Sequence, residues 1–69
     1  YKVGEIITIN TNNFQFSNDW NGFEKLKKGT IIATDDKEII YAPFEETVLI
    51  MPTKRFIPGK TAVRLAYKI

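Results

Sequence analysis

Sixty-nine residues without a single cysteine or histidine allow one domain, and exclude a disulfide, a thiol nucleophile, a histidine base and a conventional zinc site. Ten basic residues against eight carboxylates leave a net charge of +2, far from the clustered positive charge of nucleic-acid-binding domains. An apolar content of 43% is too high for a disordered chain, and no apolar run approaches the roughly 18 residues that span a bilayer.

In chain order, β signals dominate. Gly4-Glu5-Ile6-Ile7-Thr8-Ile9 is rich in β-branched residues and ends in the polar cluster Asn10 to Asn13, which predicts a strand and a turn. Phe14-Gln15-Phe16 alternates apolar and polar like a half-buried strand. Ser17 to Asp19 and Asn21-Gly22 are turn chemistry around Trp20, and the Asn-Gly pair is expected to supply the positive φ of a tight turn. Phe23 and Leu26 are read as anchors of a short extended segment, because Gly29 would stop any helix after about one turn.

Thr30 to Thr34 and Glu38 to Ala42 read as two strands joined by a turn at Asp35-Asp36-Lys37. Pro43 ends the second, having no N–H for the ladder. Thr47 to Met51 is a continuous apolar run, short enough for a strand buried on both faces, and Pro52 ends it. Ile57-Pro58-Gly59-Lys60 has the pattern of a type II turn, with proline at the second position and glycine at the third. The last segment alternates: Val63, Leu65, Tyr67 and Ile69 fall on a core face, and Ala62, Arg64, Ala66 and Lys68 on the other. Six or seven short strands at this spacing predict an all-β fold, a small barrel or sandwich over residues 1–69.

So small a core is marginal. Ordering the chain costs roughly 1.5 kcal/mol per residue, and burial at about 25 cal/mol per Å² only about offsets it. Without disulfide or metal, stability must come from good packing or from a docking surface. Met51 and Phe56 are expected to belong to an apolar docking patch.

Side chains able to carry chemistry are few. Asp35-Asp36 reads as turn chemistry, where aspartate bonds nearby amides. Glu45 and Glu46 follow Pro43-Phe44; neighbours on an extended chain point to opposite sides, so they read as a solvated loop, or as one carboxylate facing a substrate entrance. Ser17 is the only serine and has no base. Phe14, Phe16 and Trp20 read as core rather than as a stacking platform for bases or sugars. The glycines are dispersed and make no phosphate loop.

From about Phe14 onward, the order of motifs resembles a known family. FEKLKKGTIIATDD (23–36), then YAPFEETVLIMP (41–52), then RFIPGKTAVRLAYKI (55–69) resemble the C-terminal β domain of the succinylglutamate desuccinylase/aspartoacylase family. The most telling parts are Ala42-Pro43-Phe44 with an apolar strand ending in Met51-Pro52, and the closing Pro58-Gly59 to Leu65. The resemblance implies a parent enzyme whose other domain holds Zn²⁺ through two histidines and a glutamate and hydrolyses an N-acyl amino acid. It implies an inert accessory domain here, which caps the active site and narrows the route to the zinc. No catalytic residue, cofactor or metal ligand falls in this chain. The implied substrate-entrance segment runs from Phe44 to Arg55, with Glu45, Glu46, Met51, Lys54 and Arg55 as candidates. Lys54 or Arg55 would hold a substrate carboxylate by a charge-assisted hydrogen bond. The implied partner is the catalytic domain of the same parent chain, with neither nucleic acid nor membrane. A start at Tyr1 fits the expectation of a fragment of a longer protein, and the absence of cysteine suits a cytoplasmic location.

Two alternatives accompany this reading. Lipoyl and biotinyl carrier domains share the order of strand, turn, strand and Ala-Pro, and Asp36-Lys37 resembles their modified lysine at a hairpin tip. Against a carrier stand the shorter hairpin, Glu46 or Thr47 where carriers have glycine, and the missing biotinyl Met-Lys-Met. The other alternative is a small β-barrel binding module, for instance for oligonucleotides.

Overall fold

The computed structural model describes all 69 residues, Tyr1–Ile69. Seven strands form: β1 Lys2–Thr8, β2 Phe14–Phe16, β3 Lys25–Lys27, β4 Ile31–Asp35, β5 Glu38–Tyr41, β6 Glu46–Ile50 and β7 Thr61–Tyr67. They make two antiparallel sheets, one ordered β1-β7-β6-β3 and the other β2-β4-β5. The expected all-β sandwich is therefore present. The barrel is not closed, because β1 and β5 end their sheets without pairing.

The core joins residues of both sheets. Leu49, Val63 and Leu65 from the first meet Phe14, Ile32 and Ala33 from the second, with Ile7, Ile9 and Leu26. Only 15 of the 69 residues are buried, so each of these side chains carries a large share of the folding free energy. The run Thr47-Val48-Leu49 is buried on both faces, as its unbroken apolar character predicts. In β7, Val63 and Leu65 face the core as expected. Ala62 and Ala66 are buried too, leaving Arg64 as the exposed residue of the strand's middle. Ile69 departs from the alternation: the strand ends at Tyr67, and Ile69 beyond it is 85% exposed.

The turns follow their chemistry with one exception. Gly59 takes φ 90°, and Lys60 N–H donates to Ile57 C=O at 3.0 Å, as a type II turn requires. Asp36 and Lys37 form a two-residue hairpin loop between the paired Asp35 and Glu38, with Asp36 at φ 58°. In the turn from Asn21 to Glu24, the positive φ falls on Phe23, at 63°, and not on Gly22. There Glu24 N–H donates to Asn21 C=O, and the Glu24 carboxylate accepts from Asn21 N–H at 3.2 Å.

Gly4 is required by close approach. A Cβ there would lie 2.6 Å from Phe44 Cζ and 2.8 Å from Tyr67 Cε1. The two rings pack on each other with centroids 4.9 Å apart, so neither yields freely. Gly4→Ala should destabilise the domain by about 1–3 kcal/mol, measured by urea titration. A smaller loss in the Phe44→Leu background would show the coupling expected of residues in contact.

Asp35 is more than a turn residue. It ends β4, is buried, and its carboxylate accepts from Asn10 N–H at 2.7 Å, Thr11 N–H at 3.1 Å and the Thr11 hydroxyl. It thereby ties the loop after β1 to the other sheet. The Thr11 hydroxyl, with help from the Asn10 and Thr11 amides, holds the carboxyl below the usual aspartate value of 3.8, against the opposing effect of burial. A carboxylate whose folded pKa is depressed stabilises the fold above its unfolded pKa. That contribution should be complete above about pH 4 and fade as pH falls through the lower folded value. In Asp35→Asn the acid limb of the stability curve should flatten and the neutral-pH melting temperature should fall. An unchanged acid limb would show that the clip is not ionic.

Candidate docking surface and substrate-entrance residues

Leu26 points into the core and Lys25 outward, so the alternating face places Phe23 outward with Lys25. The pairing of β3 with β6 extends past the strand: Leu49 N–H donates to Glu24 C=O at 2.9 Å, and Phe23 N–H donates to Leu49 C=O at 2.7 Å. This sets Phe23 beside the end of β6, where Ile50 is followed by Met51. Met51 has φ 52°, Phe23 has φ 63°, and they are 72% and 69% exposed. Left-handed backbone costs an L-residue roughly 1–2 kcal/mol. Two large apolar side chains thus stand in solvent on strained backbone, one just before β3 and one just after β6. The residue before a proline is also kept out of the right-handed helical region, which bears on Met51 ahead of Pro52.

Trp20 and Lys54 flank this end. Trp20 is half-buried against the core, and its indole N–H donates to Ile32 C=O at 2.9 Å. Lys54 Nζ lies 3.3 Å from Asp19 Oδ1, with both side chains largely in solvent; such a pair contributes little to stability. Arg55 is exposed and belongs to neither ion pair of the chain. The Thr53 hydroxyl accepts from Arg55 N–H at 3.1 Å and donates to Arg55 C=O at 3.0 Å, while Thr53 N–H donates to Ala62 C=O. The loop is tethered, the Arg55 side chain is unpaired, and Lys54 is held only by its exposed pair with Asp19. Phe56, 46% exposed, uses its other side on Phe14 and Phe16, with ring centroids 5.7 and 5.6 Å away.

The five entrance candidates divide between the two ends of β6. Met51, Lys54 and Arg55 follow its last residue, and Glu45 and Glu46 stand at its first. At about 3.3 Å per residue the two groups are roughly 15 Å apart. Glu46 lies 3.9 Å from Lys25, and Glu45 is exposed beside Phe44 and Tyr67. The Thr47 hydroxyl buckles this loop, accepting from Phe44 N–H and donating to Phe44 C=O, both at 3.0 Å. Ser17, the only serine, donates to the carbonyls of β4, a structural role.

Phe23 is the residue that sequence reasoning placed as an anchor and the structure places outward. The signal that finds it is the alternation counted back from Leu26. No helix of the chain is long and apolar enough to cross a membrane. No protein-family model, no curated protein and no solved structure matches the chain.

Proposed function

We propose that this chain is an accessory β domain of a zinc-dependent deacylase of the succinylglutamate desuccinylase/aspartoacylase type, docked on its catalytic domain through Phe23 and Met51. The supporting observation is that pair: two exposed apolar side chains on left-handed backbone at one end of β6. Strained residues persist where the strain serves a contact or a mechanism. Burial of both side chains against a second domain would contribute roughly 1.5–3 kcal/mol each. Lys54 and Arg55 border the same end and would receive the carboxylate of an N-acyl amino acid.

The chain's own residues do not fit a zinc centre. It has no histidine or cysteine, and nowhere do three carboxylates gather. The reading therefore assigns the ion to the catalytic domain, where it would lower the pKa of water and polarise the amide carbonyl. The task left to this domain is to narrow the approach and orient the carboxylate.

The natural full-length product, assayed with N-acetylaspartate and N-succinylglutamate, should hydrolyse one of them, and a chelator should abolish the activity. A zinc-loaded full-length product that hydrolyses no N-acyl amino acid would overturn the reading.

One observation favours a second reading. Lys37 is exposed at the tip of a two-residue hairpin between two strands of a sandwich, as a swinging carrier lysine must be. A lipoyl or biotinyl mass on Lys37 in the intact natural product would establish a carrier and displace the deacylase reading.

A further inference from the structure

We infer that the open side of the sandwich, between β1 and β5, receives one extended peptide strand of a partner, which pairs with the free edge of β5. This surface is distinct from the proposed docking end, since β1 and β3 are opposite edges of the four-stranded sheet.

The edge is ready to pair. Asp35 and Glu38 close a two-residue hairpin, so Glu38 directs its main-chain groups to β4, and antiparallel alternation directs those of Ile39 outward. Ile40 pairs inward with Ala33. Ala42 also pairs inward, its N–H donating to Thr30 C=O at 2.8 Å and its C=O accepting from Gly29 N–H at 2.9 Å. The N–H and C=O of Ile39 and Tyr41 are thus left facing away from the sheet. Natural edges are usually blunted by proline, lysine or a bulge. β5 contains neither proline nor lysine, and the irregularity of its ladder lies on β4, between Ile31 and Ala33.

The groove beside that edge has a volume of about 670 Å³, and the facing strand β1 forms its other wall. Ile6, Ile39 and Tyr41 border it and are all about half exposed. A strand with alternating aliphatic side chains matches these walls, in the manner of peptides that add to sheet edges. Charge indicates the rest of the occupant. Glu5 and Glu38 line the groove against the single cation Lys28, so a basic side chain opposite Glu38 is favoured. A second copy of this chain fits less well. Its β5 has only four residues before Ala42 and Pro43, and it would bring its own β1 into a groove already walled by β1.

The test uses a synthetic peptide of alternating valine and threonine with lysine at each end, and amide hydrogen exchange read by NMR. The Ile39 and Tyr41 amides should gain protection of about fivefold or more at saturation. Ile39→Pro removes one outward donor at a position an edge strand tolerates, and should abolish binding while leaving the melting temperature near that of the parent chain. Should that variant fail to fold, Glu38→Lys serves instead: it should weaken the lysine peptide and favour a counterpart ending in glutamate. No protection at millimolar peptide, or protection insensitive to Glu38→Lys, overturns the inference. Protection that rises with protein concentration in the absence of peptide overturns it in favour of a second copy.

Discussion

Leu65→Ala should lower the stability of the domain by about 3–4 kcal/mol and its melting temperature by roughly 12–32 °C. Leu65 is fully buried, and β7 is an inner strand: Leu65 is paired with Glu5 of β1 on one side and Leu49 of β6 on the other. Truncation removes the transfer free energy of three carbons and leaves a cavity that strands held on both sides cannot collapse to fill. At about 0.05–0.15 kcal/mol per residue, a chain of this size has roughly 3–10 kcal/mol in total. The loss therefore takes between about a third and all of that stability. Urea titration with an unchanged slope would assign the loss to the folded state. Ile39→Ala, on an exposed edge, should change stability by less than about 0.5 kcal/mol. Equal effects at the two positions would contradict the described core.

That contrast follows the part of the fold that was legible in the sequence. The apolar alternation from Val63 to Tyr67 and the unbroken run from Thr47 to Leu49 mark the inner strands, because burial on one face or two leaves its period in the chain. Pro58-Gly59 locates a turn for the same kind of reason, since few residues tolerate its φ values. What could not be read is non-local. Asp35 looks like half of a turn pair, and its role depends on amides some 25 positions earlier in the chain. The alanines of β7 fall by period on the face away from the core, which solvent or a neighbour could cover, and the packing of neighbouring elements buries them. Gly4 has no turn signature at all; its necessity comes from Phe44 and Tyr67, each remote in sequence. The entrance candidates divide because a strand separates what the sequence holds within eleven residues, from Glu45 to Arg55. Phe23 illustrates the limit best. Its outward direction is implied by alternation, but its left-handed backbone runs against the expectation that the adjacent Gly22 would take that conformation.

Replacing Phe23 and Met51 together by glycine should separate stability from function. Each residue occupies a backbone region that glycine adopts without steric cost. Relief of about 1 kcal/mol or more per site is partly offset by the greater freedom glycine gives the unfolded chain. Both side chains are mostly in solvent, so little packing is lost, and the isolated domain should gain roughly 1 kcal/mol in all. In the full-length product the same double substitution removes the two apolar groups from the proposed contact. Contacts of this kind cost about 2 kcal/mol or more when central to an interface, so association of the catalytic domain with the β domain should weaken by at least about tenfold. The route to the zinc would then be less confined, and KM for the N-acyl amino acid should rise more than kcat falls, because positioning rather than chemistry is lost. Urea titration of the domain and steady-state kinetics of the full-length product read the two effects independently. A stabilised domain with unaltered kinetics would remove Phe23 and Met51 from the docking surface. A destabilised domain would mean that the left-handed residues are held by packing in the domain itself, and the reason for their strain would lie inside the sandwich rather than in a partner.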